Sequence, residues 1–192
     1  DNHVLHDSVR GVQRRLYVND TSAEYNRADD ASDGLSSFDS DGFSIGDWNN
    51  INQSTINYVT WSWKAGGAPT ATNSASAGAV PTSGSVMIDG VASTSALAGS
   101  IAATKISANT KAGFSIGTFT KGSGTETVAH GLNTAPNWYV VKRLDGTGSW
   151  FVYHSEMASD AETDYIRFNN AAAKSDDATL WGDTAPTSTV FS

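Results

Sequence analysis

The sequence predicts an all-β fold of antiparallel strands, and three observations lead to this prediction. Small and turn-forming residues (Gly, Ser, Thr, Ala, Asn and Asp) dominate the 192 residues, and charged residues make up only 17%. Short segments rich in β-branched and aromatic residues recur along the chain, several with alternating polarity. An Asp-Gly pair at 145–146 lies between two such segments and predicts a hairpin. Together these features are typical of many short strands joined by turns.

The first part of the chain contains four segments of strand character: 3–6, 15–18, 42–45 and 56–63. In the last of these, alternation places Val59, Trp61 and Trp63 on one face, opposite the more polar side chains. We therefore expect an apolar ridge there, with Trp61 and Trp63 in the core.

Residues 66–84, GGAPTATNSASAGAVPTSG, have too few large apolar groups to build a core and predict a linker. A short strand and turn are expected at 86–90. Residues 100–106 are ambiguous between strand and helix, and 155–164 have helical character. Further strands are expected at 113–120, 137–143, 150–154 and 165–168.

An internal repeat organises the chain. The phrase GFSIG occurs at 42–46 and again at 113–117. When residues 2–44 are compared with residues 150–192, an offset of 148, nine positions match. The matching pairs are Val4/Val152, His6/His154, Tyr17/Tyr165, Ala23/Ala171, Asp29/Asp177, Gly34/Gly182, Ser40/Ser188, Phe43/Phe191 and Ser44/Ser192.

This offset predicts modules that are out of phase with the chain ends. Residues 1–66 are then the back part of one repeat, 67–112 a Gly/Ser/Ala/Thr-rich linker with a short β segment, and 113–192 the front part of the next repeat. Because sheets with open edges tend to pair, we expect the strand at 58–63 to join the sheet formed by 113–192, in the same chain or in a neighbour.

Composition bears on partners and compartment. Cysteine is absent, so no disulfide or thiolate metal site is expected. A net charge of -8 argues against nucleic-acid binding. No apolar run approaches the roughly 20 residues of a membrane span, and the first residues, DNHVLHDSVR, carry no apolar signal-peptide core. We expect no cofactor and no membrane insertion.

Candidate sites are few. Trp48 and Trp181 lie in polar, turn-like contexts and are the best exposed candidates for stacking on a ligand such as a sugar. Asp39, Asp41 and Asp47 suggest a calcium site, although a tight turn explains the same residues and the full calcium loop is absent. The stretch at 29–34 carries a similar metal signal.

Other features point away from catalysis. The basic cluster around 9–15 suggests contact with an acidic neighbouring subunit. His130 lacks an accompanying nucleophile motif or zinc-spaced histidine, and the sequence pairs no two carboxylates for glycoside hydrolysis. We therefore do not expect an enzyme.

A family resemblance covers nearly the whole chain. The pattern GFSI...HGL..AP..YVVKR......WFVYH, followed by FNN and W.DTAPTSTVFS, resembles a domain of unknown function recurrent in structural proteins of marine tailed phages, especially those of cyanobacteria and pelagic bacteria. HDSVRG, LYVNDTSAE, LSSFDSDGFSIG and YVTWSWKAGG match the second part of the same pattern. The resemblance implies a β-sandwich of jelly-roll or concanavalin-like type on a virion. No catalytic residues are established for this family.

The resulting expectation is a phage virion structural protein: a tail-fibre or surface-appendage module with a spacer and adhesive role in host attachment. Its partners would be other virion proteins, further copies of the chain (a trimer is favoured, since fibres are usually trimeric) and host surface glycan. A capsid decoration protein and a carbohydrate-binding module of a surface protein are the alternatives.

Overall fold

A computed structural model describes residues 2–27 and 34–192. Within these ranges the chain forms fifteen short strands and very little helix. The strands are β1 Val4–Leu5, β2 Arg14–Tyr17, β3 Tyr25–Asn26, β4 Leu35–Phe38, β5 Phe43–Ile45, β6 Val86–Ile88, β7 Val91–Ala92, β8 Ala103–Asn109, β9 Phe114–Phe119, β10 Val128–Ala129, β11 Trp138–Lys142, β12 Trp150–His154, β13 Asp164–Arg167, β14 Ser175–Asp176 and β15 Val190–Phe191. A four-residue helix, α1, spans Asn49–Asn52, and a 3-10 turn spans Ala161–Thr163.

The all-β prediction is confirmed. The chain is 29% strand and 4% helix, and its several antiparallel sheets are consistent with a β-sandwich. Neighbouring strands follow the orders β1-β2-β3, β4-β5, β7-β6-β8-β9, β10-β15 and β11-β12-β13-β14. Within the described residues no helix has the length and apolar character that a membrane crossing requires.

The structure divides into two compact units. The first contains Asp1–Ser62, Val140–Val152 and Arg167–Ala172, and the second contains Trp63–Tyr139, Tyr153–Ile166 and Ala173–Ser192.

The first unit is organised around the antiparallel β1-β2-β3 sheet, in which Val4 pairs with Tyr17 and Arg15 pairs with Tyr25. Trp150 is buried here, and its indole N–H donates to the carbonyl oxygens of Tyr17, at 2.9 Å, and Asp20, at 3.1 Å. A buried indole needs such acceptors, and together these bonds fix the turn that follows β2.

The second unit has its apolar core around β8, which lies between β6 and β9. Ile106, Ser107 and Ala108 are buried in succession, so β8 is covered on both faces, and this explains its lack of alternation. β8 runs parallel to β6 and antiparallel to β9. The core residues are Val86, Leu97, Ala103, Ile106, Ala108, Val128, Ala129 and Leu132.

The structure differs from the linker prediction for residues 67–112. β6, β7 and β8 lie in this segment, and they supply much of the core of the second unit. Even the low-complexity stretch is tied down through Asn73, whose side chain donates to Ala103 O at 3.1 Å and accepts from the Thr82 amide at 3.0 Å. Side-chain and backbone hydrogen bonds thus order a loop that has few large apolar residues.

Gly66 shows how closely this loop lies against β8. A Cβ at Gly66 would fall 2.0 Å from the carbonyl oxygen of Ala108, so no other residue fits there without moving the backbone. The glycine that the sequence assigns to a flexible linker is therefore required by a close approach.

Strands recur at the offset of 148. Val4 and Leu5 of β1 correspond to positions 152 and 153 in β12, and Tyr17 of β2 corresponds to Tyr165 of β13. Both tyrosines are buried. Gly34 and Gly182, which also correspond, both adopt a left-handed backbone, with φ of 87° and 62°. The two segments of the repeat therefore share strand positions as well as identical residues.

Candidate interaction surface

The most exposed apolar feature is the segment 56–63, called here the aromatic strip. The exposed fractions are 70% for Val59, 73% for Trp61 and 60% for Trp63, and Ile56 and Tyr58 are about half exposed. The prediction that Trp61 and Trp63 lie in the core is wrong. The predicted strand is also absent, because the chain runs from 56 to 65 without joining a sheet.

The strip is fixed at its two ends. Near the start, the Tyr58 hydroxyl donates to Asn49 O of α1 at 3.0 Å and accepts from the Gln53 amide at 3.1 Å. At the far end, the Trp63 ring stacks on Phe114, with centroids 5.9 Å apart and planes 17° apart. Between these anchors the side chains of Val59 and Trp61 project into solvent.

The backbone of the strip is unpaired. Within the described part of the chain, the peptide groups of 57–63 make no hydrogen bond. The predicted pairing with the 113–192 sheet is therefore not present within the chain; the stacking of Trp63 on Phe114 is the contact made instead. Pairing with a neighbouring chain stays a prediction.

Trp48, the first predicted ligand residue, is half-buried. The guanidinium of Arg15 lies 3.9 Å from the centroid of its ring, and the same group is 5.5 Å from Tyr25 and 5.7 Å from Tyr17. Three aromatic rings thus surround one buried arginine. Because Arg15 occupies one face of Trp48, that face is not available to stack on a sugar.

Trp181, the second predicted ligand residue, is not exposed: only 2% of it is accessible. Its indole N–H donates to Asp164 O at 2.9 Å. The ring meets Tyr139 and Tyr153 edge-on, at 5.0 and 6.2 Å between centroids. The prediction of an exposed tryptophan is wrong because a polar sequence neighbourhood did not reveal these aromatic partners.

Trp181 belongs to a set of packed rings called here the aromatic cluster: Phe119, Tyr139, Tyr153, Trp181 and Phe191. Tyr139 stacks on Tyr153 at 4.7 Å, and Phe191 lies 5.2 Å from Tyr139 and 5.8 Å from Phe119. Burial raises the pKa of Tyr139, whose hydroxyl finds no partner among the described atoms. All five rings lie in the second unit.

Of the predicted calcium residues, Asp39 and Asp41 lie in the turn between β4 and β5, and Asp47 follows β5. Asp39 accepts hydrogen bonds from the hydroxyls of Ser37, at 2.8 Å, and Ser44, at 2.9 Å, while its amide donates to Gly42 O. Asp41 and Asp47 are exposed. Across the residues that the structure describes, no three His, Cys, Asp or Glu side chains form a metal-binding group.

The structure therefore corrects the metal prediction for Asp39, Asp41 and Asp47 and supports the turn. The other predicted metal stretch, 29–34, lies outside the described residues except for Gly34.

The basic cluster at 9–15 is neutralised within the first unit. The Arg10 guanidinium binds Asp7 at 2.6 Å and Glu24 at 3.1 Å, and Arg14 binds the other oxygen of Glu24 at 2.9 Å. Arg15 is enclosed by aromatic rings. These contacts explain why the arginines do not form the free basic surface that the sequence suggested for an acidic neighbour.

His130 has a structural role. Its Nε2–H donates to Thr187 O at 3.1 Å, and its Nδ1 accepts from the Leu132 amide at 3.2 Å. Burial lowers the pKa of His130, and the bond to Thr187 opposes that effect. The neutral ring therefore joins β10 to the hairpin that contains β15.

Sequence reasoning missed the exposure of the strip, yet a signal was present. Residues 48–63 contain no charged residue and no histidine. Sixteen uncharged residues in an acidic chain are as compatible with a contact surface as with a core, and only the absence of a covering element distinguishes the two.

Comparison with known proteins gives one result. The profile of a family described as a domain of unknown function (DUF7483) matches residues 1–89 and again residues 87–192. The chain therefore belongs to this family and carries its pattern twice. No curated protein matches the chain, and no solved structure matches it.

Proposed function

From this family membership, we propose that the chain is a structural and adhesive module of a phage virion, placed in a tail fibre or another surface appendage. The observation that carries the proposal is the double occurrence of one all-β family pattern along a single chain. Repetition of a small β module extends a shaft, with each copy acting as a spacer. The resemblance of its motifs to marine phage structural proteins gives the setting.

The surface chemistry supports a mechanical role. Trp181, Tyr139 and Tyr153 are packed together in the aromatic cluster, and Trp61 and Trp63 are exposed in the strip. Arg10 and Arg14 of the first unit are paired internally with Asp7 and Glu24. We propose that the module works by contact with other virion proteins and with host surface glycan, without a cofactor and without catalysis.

Immunoelectron microscopy tests this proposal. An antibody raised against the 192-residue chain is applied to virions of a tailed phage whose genome encodes it. The proposal expects label on fibres or other appendages. Label over the head would favour a capsid decoration protein instead, and an absence of the chain from purified virions would contradict a virion role.

A carbohydrate-binding module is the second candidate, and the exposure of Trp61 and Trp63 favours it. Glycan-array binding that is lost in Trp61→Ala would support this function. The matched control is Trp181→Phe, since Trp181 is buried and presents no ring face to a sugar. Failure to bind any glycan would leave a purely structural role.

A further inference from the structure

The aromatic strip joins no sheet in the described part of the chain, but like an edge strand it presents unpaired peptide groups. Over 57–63 its backbone donors and acceptors have no partner among the described residues, and it runs without a turn or bend. Its exposed apolar side chains are Tyr58, Val59, Trp61 and Trp63. Exposed, uncharged strands of this kind pair with other strands unless charge or proline prevents it. The strip carries neither a charge nor a proline.

Charge selects the kind of partner. The whole chain carries a net charge of -8, so two copies repel each other over most of their surface. The strip lies in the uncharged stretch 48–63, where this repulsion is weakest. A strongly basic partner would instead be drawn to acidic regions elsewhere on the chain.

The side-chain pattern matches pairing of the strip with itself. If two copies run antiparallel with Thr60 opposite Thr60, each Val59 lies opposite Trp61 of the other copy, and each Tyr58 lies opposite Ser62. Pairs of aromatic with β-branched residues, and of threonine with threonine, are among the favourable cross-strand pairs. In this register odd-numbered positions of one copy lie opposite odd-numbered positions of the other. Val59, Trp61 and Trp63 of both copies therefore lie on the same face of the pair.

The available surface reaches the lower end of the range that stable interfaces bury, about 1,200 Å² in total. The five exposed apolar side chains offer on the order of 600 Å² in each copy, since a large aromatic side chain presents about 150–250 Å². Standard interfaces bury about 800 Å² from each partner. Backbone hydrogen bonds and the polar side chains Asn57, Thr60 and Ser62 supply further contact.

We infer that residues 57–63 form a homotypic interface: two copies of this chain associate through antiparallel pairing of the strip, centred on Thr60. The two-fold symmetry gives a closed contact in which each copy presents the same surface. This inference is independent of the proposed virion role. It predicts a dimer, whereas a role in a fibre would suggest a trimer.

The first experiment measures mass against concentration by light scattering or sedimentation. We expect a concentration-dependent shift from 20.1 kDa toward twice that mass. In Thr60→Lys two like charges face each other across the two-fold axis, and the dissociation constant should rise about ten-fold. Thr60→Glu should act in the same way. Thr60 is exposed, so the fold should tolerate both changes.

Mixing the two variants tests the register. An equimolar mixture of Thr60→Lys and Thr60→Glu should recover the dimer, because opposite charges then face each other. Ser54→Lys, an exposed change outside the strip, is the matched control and should dimerise normally. The chain has no cysteine, so Thr60→Cys should form a disulfide-linked dimer under mild oxidant, and Ser54→Cys should not.

Four results would overturn the inference. These are a monomer at every concentration, a trimer, a dimer that Thr60→Lys leaves unchanged, and a mixture that associates no better than its components. A monomer that binds glycan through Trp61 would show that the strip has a different partner.

Discussion

The aromatic cluster and the aromatic strip contain the same kinds of residue in opposite situations. In the cluster, Trp181 is 2% exposed and gives its indole N–H to a backbone carbonyl, with Tyr139 and Tyr153 around it. In the strip, Trp61 is 73% exposed and its peptide groups are unpaired. The sequence predicts the reverse, because polar residues surround Trp181 and alternating apolar residues surround Trp61.

The difference teaches that burial is decided by distant partners. Trp181 packs against Tyr139 and Tyr153, which lie 42 and 28 positions before it in sequence, and alternation around a residue carries no information about such partners. An apolar strand face becomes part of a core only when a second layer of secondary structure packs against it. The strip has the pattern of a buried strand without such a layer in the described part of the chain, so the same pattern occurs here on an exposed surface.

The largest effect is expected from Trp181→Ala. Removing a fully buried indole leaves a cavity and also leaves Asp164 O without its donor, and such changes cost about 3–5 kcal/mol. Urea unfolding followed by circular dichroism should show the loss. Trp61→Ala, which removes an exposed indole from the aromatic strip, is the matched control. A loss below about 1 kcal/mol would mean that the cluster does not carry the stability assigned to it.

A smaller effect is expected from Trp48→Ala, which removes the ring nearest to the buried Arg15 guanidinium. Cation–π contacts contribute about 0.5–2 kcal/mol, and the partial burial of this one places it near the middle of that range. Trp48→Phe keeps an aromatic face and should lose less. The free energy of unfolding in urea measures both variants, and equal losses would show that the contact with Arg15 contributes nothing specific.

Part of the dependence of stability on pH should come from His130, which lies in the same unit as the aromatic cluster. Burial lowers the pKa of His130 in the folded chain, whereas the unfolded chain keeps a value near 6.5. Below that value the unfolded state binds more protons, so stability falls as the pH decreases. Protonation would also place an N–H on Nδ1, facing the Leu132 amide, and would weaken the β10–β15 contact that holds Phe191.

The measurement is the melting temperature between pH 7.5 and 5.5. It should fall with acid in the parent chain and fall less steeply in His130→Gln. His6→Gln is a necessary companion, because burial also lowers the pKa of His6. A melting temperature that does not change over this window would contradict both assignments.

The smallest effect on stability is expected from Trp61→Ala. An exposed side chain without hydrogen bonds should change the free energy of unfolding by no more than about 0.5 kcal/mol in either direction. The variant should nevertheless weaken self-association, because Trp61 faces Val59 in the inferred pairing. A large loss of stability, measured at a concentration where the chain does not self-associate, would show that the strip packs against the fold after all.

Strands were the part of the fold that local sequence predicted well. The segments 15–18, 86–90, 113–120, 150–154 and 165–168 each contain or overlap an observed strand. The ambiguous segment 100–106 overlaps β8, whose burial on both faces removes the alternation that would have identified it. The expected helix at 155–164 is reduced to a single 3-10 turn.

The sites were predicted less well than the strands. For the segment Asp39–Ser44, one of the two interpretations was a turn, and this was correct because an Asp-Gly turn is encoded locally. The environments of Trp48 and Trp181 depend on Arg15, Tyr139 and Tyr153, which no local pattern connects to them. The ordered loop at 66–84 escaped prediction for a related reason: its hydrogen-bond partners lie in β8, well beyond the loop itself.

The order of the 66–84 loop also decides where a protease can enter. A protease must draw several residues out of the fold before it cleaves them, and the bonds of Asn73 together with the close contact of Gly66 resist this. A stretch of this composition is elsewhere a common site of proteolytic cleavage, but here it is protected. Digestion should therefore begin in the neighbouring strip, where the peptide groups make no hydrogen bond with the described residues. The strip, which is the segment best suited to contact another molecule, should therefore be cleaved first unless a partner covers it.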